Sequence, residues 1–129
     1  MGAALANPDK TVLLLIGDGS LQEVPQVISS AIRHQANLKM LVLNNNGYEI
    51  ERAILDNYPY NDIASWNFSL MQRAMGSSRD GIRVTNYGEL GEAFIEMRKD
   101  RAFQLIEVML PQGDGGKVMK EVGESLRFD

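Results

Sequence analysis

Two short apolar runs, residues 12–16 and 40–43, each break off into a polar, glycine-containing turn. Gly17-Asp18-Gly19-Ser20 follows the first run and Asn44-Asn45-Asn46-Gly47 ends the second. Runs that are apolar throughout predict strands buried on both faces, as in a parallel sheet. Between them Leu21, Val24, Val27, Ile28, Ala31 and Ile32 recur at helical spacing and predict a helix reaching about Gln35. The alternation continues along the chain. A strand over 38–43 is followed by a short helix over 48–53 and a loop over 56–63 that holds Asn57, Pro59, Asn61 and two tyrosines. A helix over 66–75 closes at Gly76, and a strand over 81–85 leads to a helix over 87–99 with Leu90, Phe94 and Met97 facing the sheet. A strand over 103–110 stops at Pro111, and a weaker helix covers 117–126. With the first strand over 11–16, strands alternate with helices throughout. This predicts an α/β fold, a doubly wound parallel sheet flanked by helices, in one domain spanning residues 1–129.

In such sheets, residues just beyond the carboxyl ends of neighbouring parallel strands converge in one crevice, where ligands bind. The two turns would bring together one carboxylate (Asp18), carboxamides (Asn44, Asn45, Asn46), glycines (Gly17, Gly19, Gly47) and a free backbone carbonyl. That is suitable ligation for a hard divalent cation carrying a phosphorylated ligand. Plainer roles exist for the same residues. An Asp between glycines satisfies turn amides, and Asn-Gly is a strong turn signal in its own right. The second pair of readings is compatible, because a turn is how a backbone carbonyl is freed to face a metal. Gly19 and Ser20 would offer backbone N–H groups to an anion at the start of a helix. The Ser20 side chain is expected as an N-cap, with Glu23 completing a capping box. Pro25 lacks an N–H and crowds the turn before it, so the helix is expected to start properly near Pro25, after an irregular lead-in over 20–24.

Gly17-Asp18-Gly19, the spacer over 20–43 and the paired Asn44-Asn45 resemble the diphosphate-binding motif of thiamine diphosphate enzymes. Asn44-Asn45-Asn46-Gly47-Tyr48-Glu49-Ile50-Glu51 resembles the corresponding stretch of pyruvate and indolepyruvate decarboxylases, as does Tyr60-Asn61-Asp62-Ile63 with Trp66 after it. The likeness runs from about Thr11 to Leu110 and fades in the tail. It implies Mg²⁺ held by Asp18, the Asn45 side chain and the Gly47 carbonyl, with thiamine diphosphate contacted by Gly17, Gly19, Ser20, Asn45, Asn46, Gly47, Tyr48 and Ile50. It also implies that Glu51 is the catalytic carboxyl, its pKa raised by desolvation in a partly apolar site. Without the motif Glu51 reads as a solvated acid beside Arg52. In this chemistry the cofactor is the electron sink for loss of carbon dioxide from a 2-oxo acid. The chain departs from the family at Asn46, often Asp or Gln, and at Gln26-Val27, usually Gln-Glu or Gln-Asp.

Composition adds limits. A 129-residue chain with 44% hydrophobic and 23% charged residues has enough apolar content for a core. A net charge of −4 gives no electrostatic footprint for nucleic acid or an anionic membrane. No apolar run approaches the roughly 20 residues of a membrane span, and the N-terminus has no secretory pattern. The lack of cysteine fits a reducing, cytoplasmic setting. His34, the sole histidine, is placed at a helix end, away from both turns. Gly113-Asp114-Gly115 has no asparagine pair after it and reads as a loop, with Asp114 capping the last helix. Trp66, Phe68 and Met71 read as packing, while Tyr58 and Tyr60 fit either a lid or a loop anchor.

Family decarboxylases are several times longer and carry a pyrimidine-binding domain with no counterpart here. The chain therefore resembles the C-terminal diphosphate-binding domain alone: a piece of an enzyme, a short gene product or half of a split enzyme. Three roles follow. It is a cofactor-binding domain of a 2-oxo acid decarboxylase, inactive without a partner or second copy supplying the pyrimidine half; a stand-alone Mg²⁺-diphosphate module; or a self-associating remnant that binds nothing. An exposed apolar face is expected in each case.

Overall fold

The computed structural model describes residues 1–55 and 58–127. Four strands, β1 (Val12–Gly17), β2 (Leu38–Asn44), β3 (Ile82–Val84) and β4 (Gln104–Met109), form one sheet in the order β1-β2-β4-β3 with every pairing parallel. The helices are α1 (Gly2–Ala6), α2 (Asp18–Glu23), α3 (Val27–Arg33), α4 (Glu49–Leu55), α5 (Phe68–Ala74), α6 (Tyr87–Glu96) and α7 (Gly116–Leu126), with a 3₁₀ turn at Pro59–Asn61. Both faces of the sheet carry helices, so the expected doubly wound α/β architecture is borne out.

Alternation along each strand decides what lies on which face. Leu14, Met40, Val42 and Leu105 point to one side, where Leu21, Ile28, Ala31 and Phe68 close over them. Leu41, Val84 and Ile106 point to the other, against Leu90, Ala93 and Phe94 of α6. Each fully buried side chain of this size contributes roughly 1.5–3 kcal/mol. α6 covers only the β3–β4 half of its face. At the other end Leu13 and Leu15 remain 46% and 59% exposed on β1, which is the expected uncovered apolar surface.

Two buried polar side chains complete the sheet. β3 pairs only with residues 106–108, so the Leu105 N–H beyond it needs another acceptor. Gln72 of α5, fully buried, supplies its Oε1 at 2.7 Å. Lys39 is buried in β2 and donates to the carbonyls of Asp100 and Ala102 at 3.1 and 2.6 Å; burial pushes its pKa down.

The expected first helix divides in two. Pro25 interrupts it, as its missing N–H demands, and Val24 at the break is 45% exposed. The lead-in is itself helical, however: α2 starts at Asp18. Its cap position is Gly17 with no side-chain bond, so Ser20 is a helix-interior residue and not the expected N-cap. The second half ends at Arg33, short of Gln35, which takes a left-handed φ of 50°. His34 follows directly as the cap residue, as expected. Other boundaries shift by one to three residues, and α5 begins at Phe68 instead of Trp66. The expected 56–63 loop lies partly outside the described residues. Among those described, no helix is long and apolar enough to cross a membrane.

Candidate functional site

β1 and β2 are neighbours in a register that pairs Gly17 with Leu43. Their turns therefore leave the sheet side by side. Asp18, the first residue of α2, is 1% exposed. Its carboxylate accepts the Gly19 N–H at 2.9 Å and reaches across to accept the Gly47 N–H at 3.3 Å. Burial pushes the Asp18 carboxyl above its usual range, opposed by these amide bonds.

The Asn45 amide lies between the two turns. One of its terminal atoms is 3.3 Å from Asp18 Oδ1 and 3.2 Å from the Gly47 carbonyl oxygen. With the nitrogen on that side, the amide donates to both oxygens. With the oxygen there, three oxygens from Asp18, Asn45 and Gly47 face one another and require a cation. Asn46 makes the sharp bend possible by taking φ 57°, a left-handed conformation that Asn tolerates better than most residues.

Behind the turn stands Arg52 of α4. Its guanidinium donates to the carbonyls of Asn46 (3.3 Å) and Asn61 (3.2 Å) and pairs with Glu49 and Asp62. A Cβ on Gly47 would fall within 2.5 Å of this guanidinium, so a larger residue at position 47 would displace Arg52 from its partners. Tyr48 bonds through its N–H to the Asn61 carbonyl at 2.9 Å, and its ring lies over Gly19.

Asp18, Asn45, Gly47 and Tyr48 line a crevice of about 460 Å³. Of the residues the sequence singled out, Gly17, Asp18, Gly19, Ser20, Asn45, Gly47, Tyr48 and Ile50 border it together. Asn46 shapes the turn from beside the crevice. Glu51 does not share the buried setting expected of it: it is exposed on α4. The crevice's own acids are Asp18, Glu49 and Asp114. Asp114 belongs to the loop read as ordinary, yet Asp114, Gly115 and Gly116 line the same crevice as Asp18. Its side chain accepts the Gly116 N–H at 3.3 Å, at the start of α7, while the cap position itself is Gly115. A larger cavity of about 750 Å³ lies alongside, between α4 and α7, and shares Glu49, Gly115 and Met119 with the crevice. Its further lining of Lys120, Glu124 and Arg127 offers mixed charge, whereas the smaller crevice holds the converging oxygens.

The donor set fits a divalent ion that arrives with an anionic ligand. The protein supplies one carboxylate and two neutral oxygens, and among the described residues no cluster of three His, Cys, Asp or Glu could hold a metal unaided. The remaining charge and oxygens suit a diphosphate. Sequence reasoning missed Arg52 and also Glu107 of β4, which is 1% exposed and accepts the Asn44 side-chain amide at 2.8 Å. The signal for Glu107 was available, as a lone acid inside the otherwise apolar run over 105–109.

Comparison with known proteins identifies the family and the fold. Residues 1–108 match the family described as "Thiamine pyrophosphate enzyme, C-terminal TPP binding domain". A relative named alpha-keto-acid decarboxylase from Mycobacterium tuberculosis (strain H37Rv) is 40% identical over 116 residues, covering 87% of this chain and 20% of the relative. One of the same name from Mycobacterium ulcerans is 37% identical over 130 residues, covering 98% and 23%. Among solved structures, the thiamine diphosphate-dependent 4-hydroxybenzoylformate decarboxylase of Rhodococcus jostii superposes with a TM-score of 0.76 at 29% identity, covering 86% of this chain and 22% of that one. Benzoylformate decarboxylase from Polynucleobacter necessarius shares the fold, with a TM-score of 0.74 at 23% identity over 85% of this chain and 21% of that one. The chain spans about a fifth of the length of the curated relatives it matches.

Proposed function

Since this chain belongs to the thiamine pyrophosphate enzymes through their C-terminal cofactor-binding domain, we propose that it forms the magnesium- and diphosphate-binding half of a 2-oxo acid decarboxylase active site. The observation that carries this is the approach of Asp18, Asn45 and Gly47 to one another at the carboxyl ends of β1 and β2, within 3.3 Å. Asp18 would hold Mg²⁺ through its carboxylate, Asn45 through its side-chain oxygen and Gly47 through its carbonyl. Gly19 and Tyr48 would bound the diphosphate, and Ile50 would pack against the organic part of the cofactor. When bound, thiamine diphosphate supplies the electron sink that lets a 2-oxo acid lose carbon dioxide.

Glu51 is proposed as the acid–base group, at the reacting end of the cofactor. Its exposure in this chain means that its desolvation has to come from surface supplied by a partner chain, a second copy or a further segment. The same partner would provide the pyrimidine half of the cofactor site. The names of the relatives support the substrate class.

Calorimetric titration with thiamine diphosphate plus Mg²⁺ tests the binding role. Saturable heat in the wild type that vanishes in Asp18→Ala and in chelator is the expected result. No binding by the wild type would overturn the proposal and favour a self-associating remnant. Binding without aldehyde production, even when mixed with a protein carrying a pyrimidine-binding domain, would leave a stand-alone binding module.

A further inference from the structure

We propose that Glu107 is a positioning residue for the metal-binding turn, acting through Asn44. The chain of contacts is continuous. Glu107 sits in β4, paired in register with Val42 of β2 and Arg83 of β3, and is 1% exposed. One carboxylate oxygen accepts the Asn44 side-chain amide at 2.8 Å, and the other accepts the Ser69 backbone N–H at 3.0 Å, in the first turn of α5. Among the described residues no cation pairs with it. A buried carboxylate held only by neutral donors is costly, and an apolar residue would serve the core better. What the acid provides is direction.

A carboxylate accepts and cannot donate. Glu107 therefore fixes which end of Asn44 faces it: the NH₂ turns inward, and Oδ1 turns toward the bend. There Oδ1 accepts the Asn46 N–H at 3.4 Å. Asn46 is the left-handed residue of the bend, at φ 57°, flanked by the two proposed ligand positions Asn45 and Gly47. The Asn44 backbone is itself anchored, with its carbonyl accepting the Leu110 N–H at 2.8 Å. Asn44 thus has no freedom except rotation of its side chain, and Glu107 removes that. Partners that orient metal ligands from behind typically change metal affinity roughly 10- to 100-fold when altered. The bearing on magnesium rests on the proposed cofactor role; the bearing on the shape of the turn does not.

The test compares wild type, Glu107→Gln, Asn44→Ala and the double variant Glu107→Gln/Asn44→Asp. In Glu107→Gln a side-chain NH₂ must face either the Asn44 amide or the Ser69 N–H, both donors. In the double variant donor and acceptor change places, and every bond in the chain can form again. Hydrogen exchange at the Asn46 amide is measured in the metal-free chain, with the thermal midpoint as the check on folding. The magnesium concentration needed for thiamine diphosphate binding is measured separately. Both Glu107→Gln and Asn44→Ala are expected to lose Asn46 protection, and Glu107→Gln to raise the magnesium requirement roughly 10- to 100-fold. The double variant is expected to recover the protection. Wild-type exchange at Asn46 in Glu107→Gln, or no recovery in the double variant, would overturn the inference. If Glu107→Gln does not fold, Asn44→Ala decides alone, because it leaves the bond to Ser69 in place; unchanged exchange at Asn46 then counts against the inference. A wild type that binds no cofactor would defeat the functional reading, and the exchange measurement would still decide the role of Glu107.

Discussion

Gly123 of α7 lies against Ala53 of α4 so closely that a Cβ there would fall 2.4 Å from the Ala53 Cβ and 2.7 Å from the Ala53 carbonyl oxygen. This contact sets how near α7 can approach, and the first turn of α7 borders the crevice through Gly116 and Met119. Gly123→Val is expected to push α7 outward. Replacing a helical glycine gains up to about 1 kcal/mol of propensity, while forcing bulk into a closed contact costs about 1–3 kcal/mol, so the steric effect wins. Hydrogen exchange should show α7 loosened and the sheet unchanged. Wild-type protection throughout α7 would contradict this account of the contact.

A second close approach lies inside the crevice. A Cβ on Gly19 would sit 2.4 and 2.7 Å from two ring carbons of Tyr48. The obstacle is a side chain, which can swing away, so Gly19→Ala is expected to cost little stability, about 1 kcal/mol. The displaced ring would move into the proposed diphosphate site. Thiamine diphosphate affinity should fall about tenfold with the thermal midpoint nearly unchanged. Equal affinity would place the diphosphate elsewhere.

Asp18→Asn should flatten the pH dependence of stability and weaken the response to metal. Desolvation raises the Asp18 pKa in the folded chain. A group whose folded pKa lies above its unfolded value contributes stability that is complete below the unfolded value, about 3.9, and is lost as pH rises through the folded one. The metal-free wild type is therefore expected to lose this contribution between about pH 4 and its raised folded pKa. The Asn variant should be free of that loss, so its stability should vary less with pH, although its side-chain NH₂ must face the Gly19 or the Gly47 N–H, both donors. It should also respond far less to magnesium with thiamine diphosphate. Thermal melts across pH, with and without both ligands, provide the check; a metal-free variant whose midpoint varies with pH as much as that of wild type would refute it.

Gln72 offers a measure of the fold apart from the site. Gln72→Leu keeps the bulk and removes the acceptor for the Leu105 N–H and the Gln104 side chain, now at 2.7 and 3.2 Å. A buried donor left without a partner costs about 1–3 kcal/mol. Urea unfolding should report a loss of that size. No change in the midpoint would mean that water takes over the role.

The parts of this molecule legible in the sequence are those governed by local pattern. The apolar runs over 12–16 and 40–43 announce two parallel strands, and the rule for their carboxyl ends brings Asp18 and Asn45 together from pattern alone. Ser20 is not the cap, although its spacing to Glu23 matches a capping box, because the helix starts three residues earlier than that cap would place it, directly from the strand. Glu107 escaped notice because its value depends on β4 lying between β2 and β3, an order that no local pattern reveals. The approach of the 113–116 loop to the crevice depends in the same way on α7 docking against α4. Glu51 shows the reverse limit. Its motif was recognisable, but the surroundings that would make it chemically active are not built by the residues around it.

Leu13 and Leu15 mark a strand with one rim of its backbone unpaired by any other described strand and an oily flank beside it. Such an edge is a template that a further strand could extend. The expected outcome is association of the isolated chain as its concentration rises, which Leu15→Lys should lessen.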